Sequence, residues 1–151
     1  MKTVIISGYF SPLHGGHLDL IEGAEKLGDR LVVIVNNDAQ QLIKKGKVVM
    51  DQDSRVRLMN ALEAVDDVIL SSDEELPVVK TMEAIATDPK YADDELIYAQ
   101  GGDRDSDKVN PEVEVCERHN IAIVYGVGTE IRGVKKVDSS TRIARSLGLL
   151  D

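Results

Sequence analysis

The residues best equipped for chemistry stand close together near the start of the chain, where His14-Gly15-Gly16-His17 follows Gly8-Tyr9-Phe10-Ser11-Pro12 and an apolar run, Val4-Ile5-Ile6. Two imidazoles flank two glycines. This order predicts a parallel strand ending near Ser7, a turn over Gly8 to Pro12, and a helix beginning around Gly15. The first N–H groups of such a helix have no partner within it, and they would face the strand ends, which makes an anion site. His14 and His17, three residues apart, would project to one side of the first turn, where ring N–H groups reach a phosphate oxygen. The glycines permit close backbone approach, and the site would suit a nucleoside triphosphate. Zinc is a poor match, because His119 is the only further histidine and Cys116 belongs to a different helix, so no metal ligands are assigned. Neither the dinucleotide fingerprint nor the Walker loop fits, since no Gly-Lys-Ser/Thr follows.

Other groups able to hold an anion are spread along the chain. Lys44-Lys45-Gly46-Lys47 reads either as a solvated loop or as a triphosphate contact. Arg55 falls near a predicted helix start, where the helix dipole disfavours a cation, so a phosphate neighbour is expected to compensate. Gly101-Gly102-Asp103 is an ordinary turn or a ligand contact at a strand end. Ser139-Ser140-Thr141 at a helix start would cap that helix, and its hydroxyls and amides could equally bind a β- or γ-phosphate with Arg142 behind them.

Elements must bring these groups together. Leu18, Leu20-Ile21, Ala24 and Leu27 follow helical spacing up to Gly28, and Leu31 to Val35 is a continuous apolar run of the kind found in central parallel strands. Residues 1 to 37 thus predict strand, helix, strand, a right-handed crossover unit. Asp38 to Met50 reads as a loop or a short helix with a mobile end. Asp51 or Asp53 would cap a helix through Val56, Leu58-Met59, Leu62 and Val65. Beyond it come a strand Val68 to Leu70, a helix Val78 to Ala86 opened by Pro77, a loop Thr87 to Asp94 and a strand Leu96 to Ala99. A helix Pro111 to His119, a strand Ile121 to Tyr125, a loop Gly126 to Val137 and a helix Ser139 to Leu147 complete the order. Such alternation predicts an α/β fold with a Rossmann-like open parallel sheet of about five strands and helices on both faces, whose ligands bind outside the carboxyl ends of the strands.

With 151 residues the chain is expected to form a single domain with its own core. A composition of 42% hydrophobic and 30% charged residues belongs to a globular protein, and a net charge of −9 argues against a general nucleic-acid or acidic-membrane binder. Cys116 stands alone, so a disulfide within the chain is not possible. Met1-Lys2-Thr3 leads straight into a strand whose apolar run is too short for a leader or a membrane span, and a cytoplasmic setting is expected.

His14-Gly15-Gly16-His17 after the first strand resembles the HxGH signature of the cytidylyltransferase-like nucleotidyltransferase superfamily. Leu27 to Val33, Asn36-Asn37-Asp38, the lysine loop and Ser54-Arg55 before Ala61-Leu62-Glu63-Ala64-Val65 are similar, in the same order, to the glycerol-3-phosphate cytidylyltransferase group and to the nucleotidyltransferase domain of ADP-heptose synthases. Gly101-Gly102-Asp103 and Asp138 to Thr141 resemble further elements of that family. The resemblance implies transfer of a nucleoside monophosphate from CTP or ATP to a small phosphomonoester such as a polyol or sugar phosphate, with pyrophosphate released, Mg²⁺ on the triphosphate, and a homodimer. CTP is the favoured donor on motif likeness. It further implies that His14 and His17 stabilise charge at the α-phosphorus, and that Lys44, Lys45 and Arg55 hold phosphates. Gly8, Tyr9, Phe10, Gly16, Gly102, Asp103, Ser139, Ser140 and Thr141 would contact the nucleotide. Ser11 stands where many relatives carry Asp or Asn, so a different polar contact is expected there. Two other readings follow: an adenylyltransferase making an ADP-sugar or dinucleotide cofactor, and a nucleotide-binding module without turnover.

Overall fold

The structure, a computed structural model, describes residues 1–101 and 111–128. Strand β1 (Lys2–Gly8) leads to helix α1 (Gly15–Glu25) and strand β2 (Arg30–Val35). Helices α2 (Asp38–Lys45) and α3 (Gln52–Asn60) precede strand β3 (Asp67–Leu70), and helix α4 (Val79–Ala86) precedes strand β4 (Glu95–Gly101). Helix α5 (Pro111–Arg118) and strand β5 (Ala122–Val127) follow. All pairings are parallel, and the spatial order is β3-β2-β1-β4-β5.

The apolar runs explain the centre of this sheet. Val4 to Ile6 and Leu31 to Val35 are essentially without solvent exposure, because β1 and β2 are covered on both faces. Alternation along each strand divides the core. Val4 and Ile6 pack with Ile21 and Ala24 of α1 and Met59 of α3, whereas Ile5 packs with Met82 and Ile85 of α4 and Val115 and Cys116 of α5. Helices therefore lie in two layers, and the chain reverses its direction of winding between β1 and β4. In an open α/β sheet that reversal leaves a crevice beyond the strand ends, here beside Gly8 and Gly101.

The segment after β2, expected as a loop or a short helix, is a helix of eight residues. Asn37 accepts from the Gln40 N–H while the Gln40 side chain accepts from the Asn37 N–H, a reciprocal cap. Gly46 closes the helix with a φ of 79°, a left-handed conformation that glycine adopts without steric cost. Asp38 in the first turn and Lys44 and Lys45 in the last complement the helix dipole. The loop expected over Thr87 to Asp94 contains a short 3₁₀ turn, Pro89–Tyr91, and β5 runs two residues past Tyr125. The helix expected over Ser139 to Leu147 lies outside the described residues. No helix among the described residues is long and apolar enough to cross a membrane.

Candidate active site

The turn between β1 and α1 is built from its own side chains. His14 is the N-cap of α1: its Nδ1 accepts from the Gly16 N–H at 3.0 Å, and the Nδ1 of His17 accepts from the His14 N–H at 3.3 Å. This is a capping box made of two imidazoles. The two rings stack, with centroids 3.9 Å apart and planes inclined by 28°. Because each Nδ1 is an acceptor, each neutral ring carries its proton on Nε2, and the Nε2 of His14 is buried.

That geometry corrects one expectation. The Gly16 N–H, foreseen as facing a ligand, donates to His14, and the His17 N–H bonds back to the His14 carbonyl at 3.0 Å. The helix start spends these amides on the histidines. The two imidazoles are thus held in place by the backbone of the turn.

Phe10, expected to touch a nucleotide, is 1% exposed and belongs to the core. Its φ is 53°, a left-handed conformation that a bulky residue rarely adopts, and it turns the ring back beneath Gly8. A Cβ on Gly8 would lie 2.9 Å from the tip of that ring. Phe10 meets His17 edge-on, with ring centroids 4.9 Å apart. Gly8 thus makes room for Phe10, and Phe10 buttresses His17.

Across the crevice, α2 brings both of its lysines to the same turn. Lys44 Nζ lies 4.7 Å and Lys45 Nζ 5.5 Å from the centre of the Tyr9 ring, and Lys45 Nζ donates to the Ser11 carbonyl at 3.0 Å. Tyr9 is partly exposed, and the two ammonium groups on its face create a local positive field in an otherwise acidic protein. Ser11 is fully buried; its Oγ donates to Gln41 Oε1 at 2.7 Å and accepts from the Met50 N–H at 2.9 Å. The different contact expected at Ser11 is thus a tie between the histidine turn and the loop after α2.

Arg55, expected on a phosphate, is placed elsewhere. Its side chain has no solvent exposure, and its guanidinium is engaged by the Tyr9, Asn36 and Met50 carbonyls and the Asp38 carboxylate. Sequence reasoning missed the acceptors because they lie 5 to 46 residues away. The dipole argument did show that this cation needs a compensating neighbour, and that neighbour is protein.

On the other side of the crevice, Ser7 Oγ and Tyr98 OH are 2.7 Å apart, joining β1 to β4, and the Tyr98 hydroxyl donates to the buried Glu112 at the start of α5. Burial, and then the negative charge of Glu112, hold the Tyr98 phenol well above its ordinary value, so it remains a donor. This polar chain too escaped the sequence reading; the Tyr in an otherwise apolar β4 run was its one visible sign. Gly102, Asp103, Ser139, Ser140 and Thr141 lie outside the described residues. Among the described residues no group of three or more His, Cys, Asp or Glu side chains is arranged to hold a metal ion. A Mg²⁺ arriving on triphosphate oxygens needs no such cage, since this ion keeps several waters and takes few protein ligands.

Comparison with known proteins bears on the family and the fold. A 40% identical stretch of 88 residues is shared with an FAD synthase of Ferroglobus placidus, covering 58% of this chain and 56% of that one. The bifunctional protein HldE of Yersinia enterocolitica is 33% identical over 150 residues, which is 97% of this chain and 28% of HldE. The chain therefore spans about half the length of the first relative and about a quarter of the second. The solved structure of a lipopolysaccharide core biosynthesis protein from Thermoplasma volcanium superposes with a TM-score of 0.65 and 29% identity, covering 91% of this chain and 99% of that one. Residues 5–145 match the family model described as cytidylyltransferase-like. A match of that extent shows that the chain belongs to the cytidylyltransferase-like family.

Proposed function

We propose that this chain is a nucleotidyltransferase unit that moves a nucleoside monophosphate from a triphosphate to a small phosphomonoester. An oxygen of the acceptor phosphate forms a bond to the α-phosphorus, the bond from that phosphorus to the bridging oxygen breaks, and pyrophosphate leaves. The observation that carries the reading is the stacked pair His14 and His17 at the mouth of the sheet, each with its Nδ1 tied to the backbone. Imidazoles whose orientation is fixed before any ligand arrives suit the stabilisation of negative charge that builds at the α-phosphate oxygens. A phosphate acceptor has its second pKa near 6 and is already ionised at neutral pH, so no general base is required. Lys44 and Lys45, gathered beside Tyr9, would hold the β- and γ-phosphates, a role their shared location supports. When bound, Mg²⁺ supplies further neutralisation of the triphosphate.

The two-histidine turn does not distinguish adenine from cytosine. FAD contains an adenylyl half joined to a flavin phosphate, so the likeness to an FAD synthase supports ATP as donor, and we take ATP as the first reading. CTP, favoured on the motif likeness alone, is the second. Acceptors of the class supported are sugar phosphates, polyol phosphates and flavin mononucleotide.

Pyrophosphate release from MgATP and from MgCTP, each assayed against that panel, tests the proposal. Turnover with one donor and one acceptor is the expected result. Triphosphate binding without pyrophosphate from any pair would make the chain a nucleotide-binding module instead.

A further inference from the structure

We propose that Arg55 is a positioning residue, a buried bracket that sets the lysine helix against the histidine turn, and that it does not touch the triphosphate. This rests on the nucleotidyltransferase reading above. A guanidinium has five N–H donors in a rigid planar fork. Here Nε donates to the Met50 carbonyl at 2.8 Å, Nη1 to the Tyr9 carbonyl at 2.9 Å and the Asn36 carbonyl at 2.5 Å, and Nη2 to Asp38 Oδ1 at 2.8 Å. Four directions of the fork are thus spent on protein. With no solvent exposure of its side chain, the fork has no face to offer a ligand.

What the acceptors have in common is their position. Tyr9 lies in the β1–α1 turn, Asn36 between β2 and α2, Asp38 at the first residue of α2, and Met50 between α2 and α3. A single side chain from the second turn of α3 therefore fixes both ends of the segment carrying Lys44 and Lys45 against the residue whose ring those lysines cover. Gln41 shares the task, donating to the same Met50 carbonyl at 3.1 Å while its Oε1 receives the Ser11 hydroxyl. Lysine keeps the charge of arginine but gathers its donors on one nitrogen, and it cannot span three carbonyls and a carboxylate.

A bracket and a phosphate ligand predict opposite signs at Asp38. Removing a carboxylate next to a phosphate site relieves repulsion and tightens anion binding. Removing the carboxylate that anchors a bracket loosens the lysines and weakens binding. The experiment measures MgATP and MgCTP affinity by calorimetry, together with kcat and KM, for the wild type, Asp38→Asn, Arg55→Lys, Lys44→Ala and the double variant Arg55→Lys/Lys44→Ala, with circular dichroism establishing which variants are folded. Asp38→Asn is expected to weaken triphosphate binding severalfold. Arg55→Lys is expected to raise KM on the order of tenfold while kcat changes by less than about threefold, and Lys44→Ala is expected to add less than about twofold in the Arg55→Lys background, because contacts within one network are not additive. Tighter or unchanged binding by Asp38→Asn, or full multiplication of the Arg55→Lys and Lys44→Ala losses, would overturn the bracket. Should Arg55→Lys not fold, the sign at Asp38 decides alone. A wild type that binds neither triphosphate would overturn the nucleotidyltransferase reading itself, an outcome distinct from a wild type that binds and an Asp38→Asn that binds equally well.

Discussion

Replacing His17 by alanine is expected to lower the rate of pyrophosphate release at least about tenfold, and on the order of a hundredfold if the ring donates directly to the developing oxyanion. The substitution deletes one of two stacked donors, and with it the acceptor that holds the His14 N–H. Loss of a cap of this kind costs about 1 kcal/mol of stability, a small part of the roughly 5–15 kcal/mol that holds a domain together. The variant should therefore remain folded, with its loss in kcat. Unchanged turnover by a folded His17→Ala protein would remove the ring from the chemistry.

Phe10→Ala is expected to be the most destabilising single change at the turn, by about 3–5 kcal/mol, as for other fully buried aromatic rings. Its ring fills the space under Gly8 and packs with Ile6, Ile21 and Val35 in the core shared by α1 and α3. Phe10→Leu restores much of the apolar volume but not the edge contact on His17. Denaturant unfolding should show a large loss for the alanine variant and a smaller one for leucine, while both lose activity. A leucine variant with wild-type turnover would show that His17 needs no buttress.

Much of the sheet is legible in the chain because its central strands are continuous apolar runs. Val4 to Ile6 and Leu31 to Val35 admit few other environments than a strand covered on both faces. Helix α2 was harder to read, since its eight residues carry only three apolar side chains, and Leu42 and Ile43 are exposed. Its existence is decided by local chemistry at the ends, the Asn37–Gln40 cap and Gly46, more than by periodicity. The two histidines could be found from spacing beside glycines. What their Nδ1 atoms accept could not, because it depends on the N-cap conformation of His14. Phe10 and Arg55 were misplaced for a shared reason: type and position in sequence indicate aromatic or cationic capacity, while the left-handed φ of one and the distant carbonyls around the other exist only once the strands are assembled.

The most direct test of the account is the state of the two imidazoles in the wild-type protein, read from ¹⁵N resonances of histidine at neutral pH before and after addition of MgATP or MgCTP. The account predicts that His14 and His17 are both neutral with the proton on Nε2, and that both Nε2–H signals shift together when a triphosphate binds. Either ring protonated on Nδ1 alone, or a bound triphosphate that leaves both signals unmoved, would contradict it.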